Sequence, residues 1–263
     1  MERKYGYIPS PKDLRDYKID KVYKTIQLPI EFVCEHSNIK NQGCVNSCVA
    51  HAISEVLETN DNINYSTGWI YGYRPDEYYQ GEGMITSQAL KTINKIGYIP
   101  NENFNYNVEV HKAQDLVNDR LKELTNLASK KKIVSYARLN SIDEIKQALY
   151  SSNKPILLAI SVGVNGLILD KKYIAQIPEK TSGGHQLVCY GWNENGLLIQ
   201  NSWGENWGNK GTFILPYEYP IEESWIIKFN ENPQIQIVKP SMFLLRKILQ
   251  KLITYIKKLL NKN

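Results

Sequence analysis

The chain has 263 residues, 42% of them hydrophobic and 22% charged, enough for one substantial core or two modest lobes and too apolar for a disordered chain. Its formal net charge is +5, but Ser241 to Asn263 hold six of the 32 basic residues and no acid, and the other 26 face 27 acidic ones. A near-neutral body argues against nucleic-acid binding, four cysteines are too few for a disulfide framework, and no run of about 20 apolar residues could span a membrane.

Residues 1 to about 40 read as extended and loop-rich, punctuated by Pro9, Pro11 and Pro29, with 1–24 as an extended leader. The run Met1-Glu2-Arg3-Lys4-Tyr5-Gly6-Tyr7 has no apolar h-region, so no secretory signal is expected. The cytoplasm is the leading location, with a virion or unconventional export as alternatives. From Val49 the pattern turns helical, with Val49, Ala52, Ile53, Val56 and Leu57 at helical spacing. Asn46 and Ser47 are N-cap types ahead of them, and Asn60-Asp61-Asn62 ends the helix. A second helix is predicted from Ser87 to Ile96, capped by Thr86 and closed by Gly97. A third is predicted over roughly Leu116 to Ser129, and a fourth from Ser141-Ile142-Asp143-Glu144, which has capping-box spacing.

After Pro155 the character changes. Ile156 to Val162 reads as a buried strand, and Gln186 to Trp192 and Leu197 to Gln200 as two more, joined by a turn containing Asn195-Gly196. Gly211 to Leu215 and Trp225 to Phe229 are further strand candidates. Helices first and strands second suggest an α+β protein with two lobes and a cleft between them. The lobes divide at about 25–120 and 121–228. Beyond Pro240, Leu245, Ile248, Leu249, Leu252, Ile256, Leu259 and Leu260 share one face of a predicted basic amphipathic helix over 240–263. That face would pack on the body or a partner protein, or lie in an anionic membrane interface.

The chemistry centres on Cys48, a thiol at the start of an apolar helix, where the helix N-terminus favours a thiolate. Downstream sit Gly183-Gly184-His185 and Asn201-Ser202-Trp203-Gly204. His185 could pair with the thiol, and Asn201 could accept the second imidazole N–H and fix the ring. The Gln42 side chain and the Cys48 backbone N–H could donate to an oxyanion.

These residues resemble the papain family of cysteine peptidases. His185 lies 137 positions after Cys48 and Asn201 lies 153 after it, and the family's Gln-to-Cys spacing is kept. Asn201-Ser202-Trp203-Gly204-Glu205-Asn206-Trp207-Gly208 is similar to the family's Asn-Ser-Trp-Gly-x-x-Trp-Gly signature, the more specific of the matches. The resemblance covers roughly residues 25 to 228. It implies a helical left lobe, a β-barrel-like right lobe, and a protein or peptide substrate hydrolysed in the cleft between Cys48 and His185. It further implies that Trp203 shields the His185–Asn201 contact and that Trp207 lines the leaving-group side. Gly83 in the loop Gly81-Glu82-Gly83-Met84 would pair with extended substrate, and the Gly184 carbonyl would face the same channel. No metal or cofactor is implied. Val45 and Val49 depart from the family's usual motif cysteine and tryptophan, so the usual neighbouring disulfide is missing. Asp13 to Tyr17 is similar to the short leader of bacterial-type members.

Other readings stand beside this one. The same parts would serve a transamidase or isopeptidase, and the fold could be kept as a weakly active binding or membrane-associated module. A zinc site from Cys34, His36, Cys44, Cys48 and His51 fits no common ligand spacing. His36, His51 and His111 read as structural or exposed. Cys34, Cys44 and Cys189 read as buried thiols, two of which could pair in a disulfide.

Overall fold

The architecture follows from one strand pair buried on both faces. In a computed structural model of the chain, residues 5–12, 27–75 and 78–230 are described. Strand β5, Ile156–Gly163, pairs antiparallel with the long strand β6, Thr181–Asn193. Successive side chains point to opposite faces, so Leu157, Ala159 and Val188 feed one core. Ile156, Leu158, Ile160, Leu187 and Cys189 feed another. Each fully buried Leu or Ile contributes about 1.5–3 kcal/mol, and one wall serves both lobes.

The first core is helical. Helix α1, Cys48–Asp61, is buried at every position from Cys48 to Glu58 and forms its axis. Around it lie α2 (Thr67–Gly72), α3 (Thr86–Lys95), α4 (Val110–Asn118) and α5 (Leu121–Ala128), which contribute Trp69, Leu90, Ile93, Val117 and Leu124 to this core. The second core lies between the outer face of the sheet and α6, Ile142–Ser152, with Ala148, Leu149, Ile199 and Phe213 among its members.

The sheet orders its strands β3-β1-β6-β5-β9-β4, with β7 on β6, β8 on β7 and β2 on β6. The remaining strands are β1 (Tyr7–Ile8), β2 (Phe32–Val33), β3 (Met84–Ile85), β4 (Ser135–Leu139), β7 (Gly196–Gln200), β8 (Thr212–Leu215) and β9 (Ile221–Lys228). The fold is α+β, with a curled sheet packed against helices.

The structure departs from the sequence expectations at several points. The single helix predicted over Leu116–Ser129 is two helices, broken where Arg120 leaves helical geometry (φ −122°, ψ 19°) and bonds the Asn103 carbonyl and Glu123. Ser47 precedes α1 but makes no side-chain cap; its hydroxyl meets the buried His51 Nδ1 at 3.1 Å. Thr86 lies inside α3 rather than capping it, and its hydroxyl donates to Gln186 Oε1 across the cleft at 2.7 Å. The Ser141 cap forms, while the Glu144 carboxylate reaches Asn140 N–H in place of Ser141. Strand β6 begins at Thr181, five residues before the expected start, because Gly183 and Gly184 pair with β5 without carrying an apolar pattern. Strand β9 likewise begins early, through the polar Glu222 and Glu223. All four cysteines are free thiols, which removes the disulfide option, and Cys44 is exposed rather than buried because it sits in the solvent-facing turn ahead of α1. No helix among the described residues is long and apolar enough to cross a membrane. The amphipathic helix expected over 240–263 and the leader motif Asp13–Tyr17 lie outside the described residues.

Candidate active site

Gln42 and Cys48 are set by the turn that enters α1. Gln42 is fully buried. Its backbone N–H donates to the Ser202 carbonyl at 2.9 Å, and its Oε1 accepts from the Ser202 hydroxyl at 2.7 Å. Its Nε2 donates to the Val45 carbonyl at 2.8 Å. These bonds fix the side-chain amide beside the first turn of α1. Cys48 opens that turn, and its sulfur accepts from the Gln186 N–H at 3.5 Å. Burial pushes the Cys48 thiol up to about 11, although N–H groups of Gln186, Gly6, Val49 and Cys48 pull it the other way.

The opposite wall comes from β6 and the segment after β7. His185 Nε2 meets Asn201 Oδ1 at 2.8 Å, a contact buried from solvent. Because that oxygen only accepts, Nε2 carries the proton. Asn201 Oδ1 also accepts from Ser202 N–H at 2.8 Å, and the Asn201 backbone N–H donates to the Gly211 carbonyl, so both the side-chain oxygen and the backbone that carries it are fixed. Trp203 stacks on the His185 ring at 4.7 Å and 22°, closing it off from water. Trp207 stands edge-on behind Trp203 at 4.9 Å. The structure thus brings Gln42, Cys48, His185, Asn201 and Trp203 into one constellation across a cleft.

The cleft is occupied by the chain's own N-terminus. Strand β1 pairs parallel with β3, Tyr7 opposite Met84, and antiparallel with β6, Tyr7 opposite Gly184. The Gly6 backbone N–H faces the Cys48 sulfur and favours its thiolate, and Met84 N–H donates to the Gly6 carbonyl at 2.6 Å. A Cβ on Gly6 would lie 1.9 Å from the Asn46 carbonyl oxygen, so only glycine fits over the thiol. Tyr5 sits edge-on to His185 at 5.7 Å. Tyr7 is buried against Gly184, where a Cβ would meet its ring at 2.3 Å.

The two glycines expected to line the substrate channel therefore both touch this segment. Gly83 lies against Gly6, but its carbonyl accepts from Arg74 at 2.7 Å and the backbone pairing falls to Met84. Sequence reasoning missed Met84, Gly6 and Tyr7, whose contacts depend on the path of residues 5–8 and carry no local motif. His36 and His51 lie elsewhere. His51 is buried on α1 itself and pushed down to about 4 by that burial. No group of three His, Cys, Asp or Glu among the described residues is placed to hold a metal ion.

Comparison with known proteins adds independent findings. Residues 31–223 match the family model described as papain family cysteine protease. An uncharacterised peptidase C1-like protein of Acanthamoeba polyphaga mimivirus is 29% identical over 294 residues, covering 92% of this chain and 92% of its own. Chymopapain of Carica papaya is 24% identical over 188 residues, covering 67% of this chain and 51% of its own. Among solved structures, xylellain, a cysteine protease from Xylella fastidiosa, aligns with a TM-score of 0.71 at 24% identity, covering 87% of this chain and 98% of its own.

Proposed function

The chain belongs to the papain family of cysteine proteases, and from that premise we propose that Cys48, His185, Asn201 and Gln42 hydrolyse peptide bonds in the cleft described above. The observation that carries this reading is the buried His185–Asn201 contact under Trp203, facing a wall that holds Cys48 and Gln42. Asn201 holds Nε2, so Nδ1 is the ring nitrogen that exchanges a proton with the thiol. With the N-terminal segment out of the cleft, water and the imidazole replace the buried surroundings that keep the thiol neutral here, and a thiolate–imidazolium pair becomes favourable.

The thiolate attacks the peptide carbonyl carbon, forming a C–S bond. The oxyanion takes hydrogen bonds from the Cys48 N–H and the Gln42 amide. As the C–N bond breaks, His185 gives its proton to the leaving amine and a thioester remains. Water then attacks the thioester with His185 as base, releasing the carboxylate and restoring the thiol. Gly83 and Gly184 would border the bound chain, and Trp207 the leaving-group side. Substrate must replace residues 5–8 at the thiol, so the arrangement described is a closed form. Solved relatives include a protease of Carica candamarcensis in complex with E-64, and the same epoxide is a suitable probe here. Cys48→Ala is expected to abolish hydrolysis of a casein or peptide-library substrate with an unchanged circular dichroism spectrum; turnover that survives would sink the assignment.

A further inference from the structure

Arg74 follows α2 and draws together the segment Tyr79 to Gly83, which has no regular structure of its own. Its Nε donates to the Tyr71 carbonyl at 2.9 Å, in the last turn of that helix. Its Nη1 donates to the carbonyls of Tyr79 at 3.0 Å and Gly81 at 2.7 Å, and its Nη2 to the Gly83 carbonyl at 2.7 Å. The guanidinium also lies over the buried Tyr71 ring, 4.7 Å from its centroid. Carbonyls from three alternate residues thus converge on one planar cation, whose spread of donors serves them all. A second tie joins the same loop to the turn before the nucleophile. Glu82 Oε2 accepts from the Tyr71 hydroxyl at 3.2 Å and from Asn46 Nδ2 at 3.0 Å. No cysteine stands between Arg74 and Gly83, so hydrogen bonds hold this loop without a covalent link.

The Gly83 carbonyl and the Met84 N–H belong to one peptide unit. That unit is planar and trans, so its C=O and N–H point in opposite directions. Arg74 holds the carbonyl on the loop side. The N–H is thereby aimed into the cleft, where it bonds the Gly6 carbonyl at 2.6 Å.

We propose that Arg74 is a positioning residue for the reaction: by fixing the Gly83–Met84 peptide it presents the Met84 N–H as a donor to a backbone carbonyl of extended substrate. The inference rests on Cys48 being the nucleophile. Residues 5–8 occupy that donor in the closed form, and substrate takes it when they leave. Without the guanidinium, three carbonyl dipoles point at a place that holds no donor, and they turn outward to water. Gly83, at φ +84°, has the backbone freedom to let its peptide rotate, and the Met84 N–H then leaves its alignment with the cleft. Lysine carries the same charge but no planar fork, so it cannot serve the three carbonyls together.

The test compares two reagents on the full chain, each read by mass spectrometry as the rate of adduct formation on Cys48. A dipeptidyl vinyl sulfone lies along β3, whereas iodoacetamide is too small to reach it. Displacement of residues 5–8 speeds both alike, so the ratio of the two rates reports β3 alone. In Arg74→Ala the vinyl sulfone-to-iodoacetamide ratio should fall about tenfold, as loss of one directed hydrogen bond implies. In Arg74→Lys it should fall severalfold. Turnover of a fluorogenic peptide by Arg74→Lys should show a raised KM with kcat nearly unchanged. If Arg74→Ala does not fold, Arg74→Lys decides by the same ratio. An unchanged ratio, or an equal fall in both rates, would overturn the inference. Absence of any adduct on Cys48 from either reagent, even in Gly6→Ala, would instead overturn the nucleophile assignment.

Discussion

At the scale of single residues, the cleft depends on groups whose orientation is fixed by buried hydrogen bonds. Gln42 is held by Ser202 and the Val45 carbonyl, so in the proposed mechanism its amide would need no rearrangement as charge develops. Gln42→Ala is expected to lower kcat by about 10²–10³-fold with little change in KM, measured on a fluorogenic peptide. A second buried group, Glu55 on α1, lies outside the chemistry. Burial pushes its carboxyl up from 4.5 to about 8, although Lys40 and hydrogen bonds from the Lys40 backbone and Gln200 lower it. The fold therefore prefers the protonated acid. Its contribution is fully present below pH 4.5 and is lost as pH rises through about 8. Glu55→Gln removes this titration, so the variant should gain stability relative to the parent between pH 5 and 9 in urea melts. A parallel pH profile for the two proteins would contradict it. Cys48, Gln42, His185 and Asn201 were legible in the sequence because residue type and spacing carry their chemistry. Met84 was not, since it lies 77 residues along the chain from Tyr7, the residue it pairs with in the cleft.

At the scale of elements, strand β1 joins the cleft to the rest of the molecule. It is two residues long, yet it bridges β3 and β6 and covers the thiol. Gly6→Ala would force a methyl group to within 1.9 Å of the Asn46 carbonyl. Overpacking of this kind typically costs about 1–3 kcal/mol, so E-64 labelling of Cys48 should accelerate by about tenfold. An unchanged rate would mean that the segment does not limit access to the sulfur. Periodicity located α1, α3, α6 and the cores of β5 to β8, because each buries a regular apolar face. It fused α4 and α5, since the break at Arg120 is made by tertiary bonds to Asn103 and Glu123. It missed β1, β2 and β3 because two-residue strands have no period, and it missed β4, whose residues are set by pairing with β9.

At the scale of the whole molecule, two cores share the β5–β6 wall, and the cleft opens where helix α1 meets it. The order of helices before strands anticipated the α+β class, because most helices come from the first half of the chain and most strands from the second. It did not foretell that residues 5–8 return to the cleft between the lobes, which is a matter of chain path and leaves no compositional trace. The exposed Cys44 and the buried Cys48 supply an internal control for the account's central claim, that Cys48 is the nucleophile of a peptidase whose cleft is filled by its own N-terminus. The most direct measurement is mass-spectrometric mapping of the E-64 adduct on full-length Gly6→Ala protein, alongside its peptide turnover. The account predicts one adduct on Cys48 and complete loss of turnover as that adduct accumulates. An adduct confined to Cys44, or turnover that persists after Cys48 is fully modified, would contradict it.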